Sequence, residues 1–136
     1  MTAITVAANR QRRGVAKLRK YLMKTSTTIP KGALVGIEAA SGLAINAVAG
    51  ASITAPVVGV AAETVIAPAS GATYIEVECE ADWLFAASSI TQVMVGVAML
   101  VIDNNTVDET SASSATVGKL VEFVSTTSGW VNIPGN

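Results

Sequence analysis

The sequence predicts an all-β domain: a single sandwich or barrel of about seven or eight short strands, with an extended, partly helical basic N-terminal arm. Three observations carry this. From residue 29 onward, short apolar runs alternate with turn chemistry. The apolar fraction is 51% but aromatics make up only 4%, so the core must be built from Ala, Val, Ile and Leu. Such small and β-branched side chains suit pleated strands. Finally, basic residues crowd one end of the chain and acids the other. At 136 residues the length fits one domain, divided here into an arm (1–28) and a β body (29–136).

The arm contains Arg10, Arg12, Arg13, Lys17, Arg19, Lys20 and Lys24, with Lys31 just beyond it and no acid before Glu38. Residues 32–136 hold a single base, Lys119, against all ten acids. The first 31 residues thus carry +8 and the rest −9, a split hidden by the net charge of −1. Such asymmetry points to an interaction tail. Val15, Leu18 and Leu22 fall at i, i+3 and i+7, one apolar helical face. Gly14 weakens that helix and Thr25-Ser26-Thr27-Thr28 ends it. Alone, the arm is expected to be disordered; on an acidic partner surface it is expected to order.

In the body, eight runs read as strands: Ala33–Ile37, Leu43–Val48, Val57–Ala61, Thr73–Cys79, Trp83–Ala86, Val93–Ile102, Val117–Val124 and Trp130–Ile133. Turn signals separate them, among them Ala40-Ser41-Gly42, Asp103-Asn104-Asn105 and the stretch 125–129. In the fourth run Ile75, Val77 and Cys79 alternate with Tyr74, Glu76, Glu78 and Glu80, the pattern of a half-solvated strand. In the sixth, Val93, Val95, Val97, Met99 and Val101 oppose Met94, Ala98, Leu100 and Ile102. That strand is expected to be covered on both faces, by core and by a second layer or a neighbouring subunit. Val-Gly-Val-Ala occurs at 58–61 and again at 95–98, where Gly suits close strand contacts. The uncharged stretches 39–62 and 86–102 are broken by polar residues, and by Pro56 in the first. They read as buried strands rather than spans of about 20 apolar residues.

The chemistry on offer is sparse. With no His there is no Ser-His-Asp or Cys-His arrangement, and the commonest general base is missing. One Cys and acids alone do not make a zinc site, and no phosphate-binding Gly-rich motif is present. Glu76, Glu78, Glu80 and Asp82 are spaced so that two carboxylates could flank a bond, about 6.5–7 Å apart along one strand face. A solvated strand face explains them better, since the chain offers few aromatics to line a cleft. Asp103, Asn105 and Thr106, with Asp108 and Glu109 following, offer hard oxygen ligands for calcium, but the EF-hand register is absent and Asp-Asn-Asn is first a turn signal. Cys79 reads as a small buried hydrophobe. The expectation is a non-enzymatic protein with no cofactor and no metal. A charge content of 14%, well below the usual ~25%, suits a chain that hides surface in an assembly.

The order of the body's motifs resembles that of tailed-phage head decoration, or capsid cement, proteins. Ile29-Pro30-Lys31-Gly32-Ala33-Leu34-Val35-Gly36-Ile37 is similar to their first strand. Val57-Val58-Gly59-Val60-Ala61-Ala62-Glu63-Thr64 and the segment from Val95 to Val107, with Asp103-Asn104-Asn105-Thr106, are similar to later ones. Val117-Gly118-Lys119-Leu120-Val121 and Trp130-Val131-Asn132-Ile133 look like the closing pair. The likeness spans roughly 29–133 and implies a β-rich structural virion protein on the capsid exterior, made in the bacterial host cytoplasm. It further implies clamping of neighbouring major capsid subunits and no catalytic residues.

Three roles follow as expectations. Arg10, Arg12, Arg13, Lys17, Arg19, Lys20 and Lys24 form a capsid-binding arm. Val93, Val95, Val97, Met99 and Val101 form an oligomer or core strand. The partners are a phage major capsid protein and the chain itself, as a homotrimer in preference to a homodimer, with neither nucleic acid nor membrane expected. The alternatives are a phage tail or fibre-associated adaptor, a nucleic-acid-binding head protein using the arm, and a carbohydrate-binding β-sandwich.

Overall fold

Thirteen short strands build the fold, in a computed structural model that describes residues 2–50, 52–109 and 114–135. They are β1 (Arg12–Arg13), β2 (Lys17–Leu22), β3 (Thr28–Ile29), β4 (Leu34–Glu38), β5 (Ala44–Asn46), β6 (Ile53–Ala61) and β7 (Val65–Ile66). β8 (Tyr74–Cys79), β9 (Ala81–Ala87), β10 (Ala98–Val101), β11 (Thr106–Asp108), β12 (Thr116–Ser125) and β13 (Ser128–Ile133) follow. The one helical element among the described residues is a 3-10 turn at Gln92–Met94. No helix among them is long and apolar enough to cross a membrane.

Alternation within β9 shows how a barrel forms. Ala81, Trp83, Phe85 and Ala87 are buried, while Asp82, Leu84 and Ala86 between them are half-buried. One edge of β9 runs antiparallel to β13 from Ala81↔Ile133 to Ala86↔Ser128. The other edge gives Ala86 and Ala87 to β11 in parallel, and Asp82 and Trp83 to β1. The ladder continues from β11 to β10, β12 and β13, closing a five-stranded barrel with β1 as an added strand. Closure removes the open edges that make β-sheets prone to aggregate. Trp83, Phe85, Met99, Val101, Val117, Leu120, Val131 and Ile133 fill the interior.

A second sheet, in the order β2-β8-β6-β4-β5, lies against the barrel. Its strands are apolar on both faces where they are central. Leu34, Val57 and Val60 join the barrel's core, whereas Val35, Val58, Ile75 and Val77 form a second core with Met23, Ile29 and Ala67, beside the two-stranded ribbon β3–β7. The alternation expected in β8 holds: Ile75, Val77 and Cys79 are buried and Tyr74 is exposed. Cys79 is buried and free, packed in the barrel core.

Two expectations are corrected. The arm is not helical: it supplies β1 and β2, with β2 paired to β8 from Lys17↔Cys79 to Leu22↔Tyr74. Leu18 and Leu22, four apart, fit a strand face as well as a helical one, because four is a multiple of the strand period of two. Val15, the residue that made the pattern helical, is 92% exposed, beyond Gly14 at φ +91°. Only about ten residues separate Gly14 from the threonine turn, too few for a stable isolated helix, and the waiting edge of β8 satisfies their backbone instead. The second correction concerns Val93–Ile102, which is not one covered strand. The chain makes the 3-10 turn, turns again at Gly96 (φ +92°) and becomes a strand only at Ala98. Met99 and Val101 are core residues, whereas Val93, Val95 and Val97 stand exposed. A continuous apolar run carries no period, so it could not reveal the break.

Candidate interaction surfaces

Residues 2–22 run as a strap across the barrel and the second sheet. Several of their cations, and Lys24 just after them, find acids within the same chain. Arg12 pairs with Glu78, Lys17 lies 3.8 Å from Glu80, and Lys24 donates to Glu38 at 2.7 Å. Arg13 makes a two-pronged contact with Glu122 at 2.7 and 3.3 Å and stacks over Trp130, 3.8 Å from the ring centroid. Such exposed pairs are individually weak, and the backbone ladder of β2 with β8 is what sets the strap's register. Arg19 lies half-buried, its Nε buried without a hydrogen-bond partner, and Lys20 sits on the outer face opposite Glu76.

Arg10 is different in kind. Its guanidinium donates from Nε to Gly32 O (2.7 Å), from Nη1 to Leu84 O (2.9 Å) and from Nη2 to Asn105 Oδ1 (2.7 Å), and it lies 4.5 Å from the Phe85 ring centroid. Burial lowers its pKa to about 10, opposed by the nearby Asp103 charge, and leaves it cationic at neutral pH. The strap also passes close over Gly32. Ala8 N donates to Lys31 O (2.9 Å), and a Cβ on Gly32 would stand 2.5 Å from Ala8 O, at φ +87°.

Asp103-Asn104-Asn105 forms the expected turn, with Asn105 N donating to Asp103 Oδ1 (2.8 Å). The two amides then do something the sequence did not suggest. The buried Asn104 accepts from Ile4 N and donates to Ile4 O, both at 2.9 Å, and reaches Asn46 Oδ1 as well. Asn105 donates to Thr2 O (3.2 Å). The turn read as a possible calcium loop therefore holds the strap. Three of the four acids spaced along β8 and β9 are likewise in contacts: Asp82 accepts from Asn132 (2.8 Å), and Glu78 and Glu80 face strap cations. Among the described residues no three metal-ligating side chains converge.

The acids of the strap contacts predict a pH dependence. Hydrogen bonds from Arg13 to Glu122 and from Lys24 and Ser41 to Glu38 hold both carboxyls below their ordinary range. A lowered acid pKa contributes stability that is present above the unfolded value, about 4.3 for Glu. It is lost as pH falls through the folded one. Amides of β1, which carries Arg13, are therefore expected to lose hydrogen-exchange protection below about pH 4, before those of β9 do. Simultaneous loss in both strands would show that the strap has no separate acid response.

Two further surfaces remain. A polar cleft of about 570 Å³ lies between the strap and the second sheet, lined by Arg10, Arg12, Lys31, Glu63, Glu76 and Glu78 among others. On the barrel's outside, an apolar groove of about 390 Å³ is bounded by Ala98, Gly118, Lys119, Val121 and Pro134. The exposed loop with Val93, Val95 and Val97 is tied to the same strand β12, through Gly96 N to Leu120 O (2.7 Å) and Leu120 N to Val97 O (3.0 Å). Val121 is a residue the sequence placed within a strand but not at a surface. No protein-family model matches the sequence, and no curated protein matches it.

Proposed function

We propose that the chain is a structural virion protein that seats on the outside of a phage capsid as a homo-oligomer and clamps neighbouring capsid subunits. The observation that carries this reading is the apolar surface on one side of β12. Val121 lines the apolar groove, and Val93 (87% exposed), Val95 and Val97 stand in solvent on the loop whose Gly96 and Val97 bond to Leu120 of the same strand. Exposed aliphatic side chains grouped beside a groove call for a protein cover. The resemblance of the motif order to that of capsid cement proteins suggests the class of partner. Lys20 in the arm and Lys31 just beyond it make no ion pair among the described residues, which leaves them for an acidic capsid surface. A clamp that binds only the assembled shell stabilises that shell by mass action, and many copies on a lattice make weak contacts effective together.

Replacing Val93, Val97 and Val121 together with Asp is expected to leave the fold intact, since all three are exposed, and to weaken shell binding tenfold or more, the effect of ~1.4 kcal/mol. Co-sedimentation with assembled shells of a candidate phage major capsid protein measures it. Undiminished binding would remove this surface from the function. Binding that follows only Lys20 and Lys31 substitutions, and is matched by binding to free DNA, would favour the nucleic-acid reading.

A further inference from the structure

β2 is the outermost strand of the second sheet, and its far edge is open. It pairs with β8 on one side, and no strand among the described residues pairs with it on the other. Met23 N donates to Thr73 O (2.8 Å), one step beyond the pair Leu22↔Tyr74. Hydrogen-bonded pairs alternate along an antiparallel ladder. Lys17, Arg19 and Tyr21 therefore bond to β8, while Leu18, Lys20 and Leu22 turn N–H and C=O outward. All three outward residues are exposed, Leu18 at 55%. Tyr74, opposite Leu22 on the same face, is exposed too. The edge thus offers backbone donors and acceptors at the period of a strand, flanked by apolar side chains, which is the template that strand addition uses.

We propose that the open edge of β2 accepts an acidic, extended segment of a partner protein as an added strand. Charge selects the occupant. Lys17, Arg19 and Lys20 make half of β2 cationic, and Lys20 has no ion pair among the described residues. A second copy of β2, paired about its centre, sets Arg19 against Lys20 twice, and like charges directly opposed destabilise a ladder. Lysines on an edge guard against such self-pairing. A segment with acids beside Arg19 and Lys20, and small apolar residues beside Leu18 and Leu22, meets no such penalty and completes the backbone ladder. A nucleic acid matches the charge but lacks the alternating amides. Nothing in the chain has to open, because β2 keeps its bonds to β8. The inference goes beyond the capsid reading and does not depend on it.

An end-blocked peptide, Val-Thr-Glu-Glu-Val-Glu, tests it on the full chain. Run antiparallel to β2, it sets its valines beside Leu22 and Leu18 and its acids beside Lys20, Arg19 and Lys17. The expected result is saturable binding in which the amides of Leu18, Lys20 and Leu22 shift in NMR spectra and gain hydrogen-exchange protection. N-methylating the peptide's third and fifth residues removes N–H groups aimed at β2 and should weaken binding by about tenfold or more. N-methylating the second and fourth, which face away, should leave binding unchanged. Leu18→Pro deletes an outward N–H that β8 does not use, at an edge where proline is tolerated, and should weaken binding similarly. The two methylated peptides decide the matter on the native chain should that variant fail to fold. Absence of binding, or equal binding of both methylated peptides, would overturn the proposal. Equal binding of an oligothymidylate of the same charge would overturn it in favour of nucleic acid.

Discussion

Arg10→Ala should destabilise the folded chain by about 3 kcal/mol, since it removes three charge-assisted hydrogen bonds that are worth roughly 1.5–3 kcal/mol each before the gain from relieving a buried charge. Gly32 O, Leu84 O and Asn105 Oδ1 lose their donor at once, and Phe85 loses the cation above it. Urea unfolding followed by the fluorescence of the buried Trp83 measures the loss. Arg10→Lys should recover little, because an ammonium cannot reach three acceptors arranged around a planar fork. The same substitution is expected to free the strap first, so the amides of β1 and β2 should lose exchange protection while those of β13 keep it. Equal stability of Arg10→Ala and the native chain would mean that the burial cost of the charge cancels its contacts.

Gly118→Ala is expected to be about as damaging, at about 3 kcal/mol, the upper end of what overpacking usually costs. A Cβ at that position would lie 1.7 Å from Asn132 O, 2.8 Å from its carbonyl carbon and 3.3 Å from Ile133 Cα. These are backbone atoms of β13, so no side chain can rotate aside. β12 and β13 must part where the barrel closes, next to the groove that Gly118 itself helps to line. Thermal unfolding should register the drop. The variant should also bind shells less well on the proposed function, because the groove loses its shape. Gly96→Ala is the contrast: a Cβ there meets nothing within 4 Å, and only the φ of +92° resists it.

By itself the sequence determined the all-β class, most of the body's strands, the inward face of β8 and the burial of Cys79. These follow from local pattern, because alternation and turn residues act over a few positions. The charge split was equally legible, but by itself it points to an arm seeking the acidic surface of a partner. Only the tertiary structure brings Glu38, Glu78, Glu80 and Glu122 beside residues 12–24, on strands far away in the chain. The same holds for the secondary structure of the arm: Leu18 and Leu22 satisfy either period, and the open edge of β8 decided between them. It holds again for Val93, Val95 and Val97, whose apolar run looked like a covered strand until Gly96 turned it outward. Asn104 and Asn105 announced a turn, but their second task, holding Ile4 and Thr2 about a hundred residues away, is visible only once the chain has closed on itself.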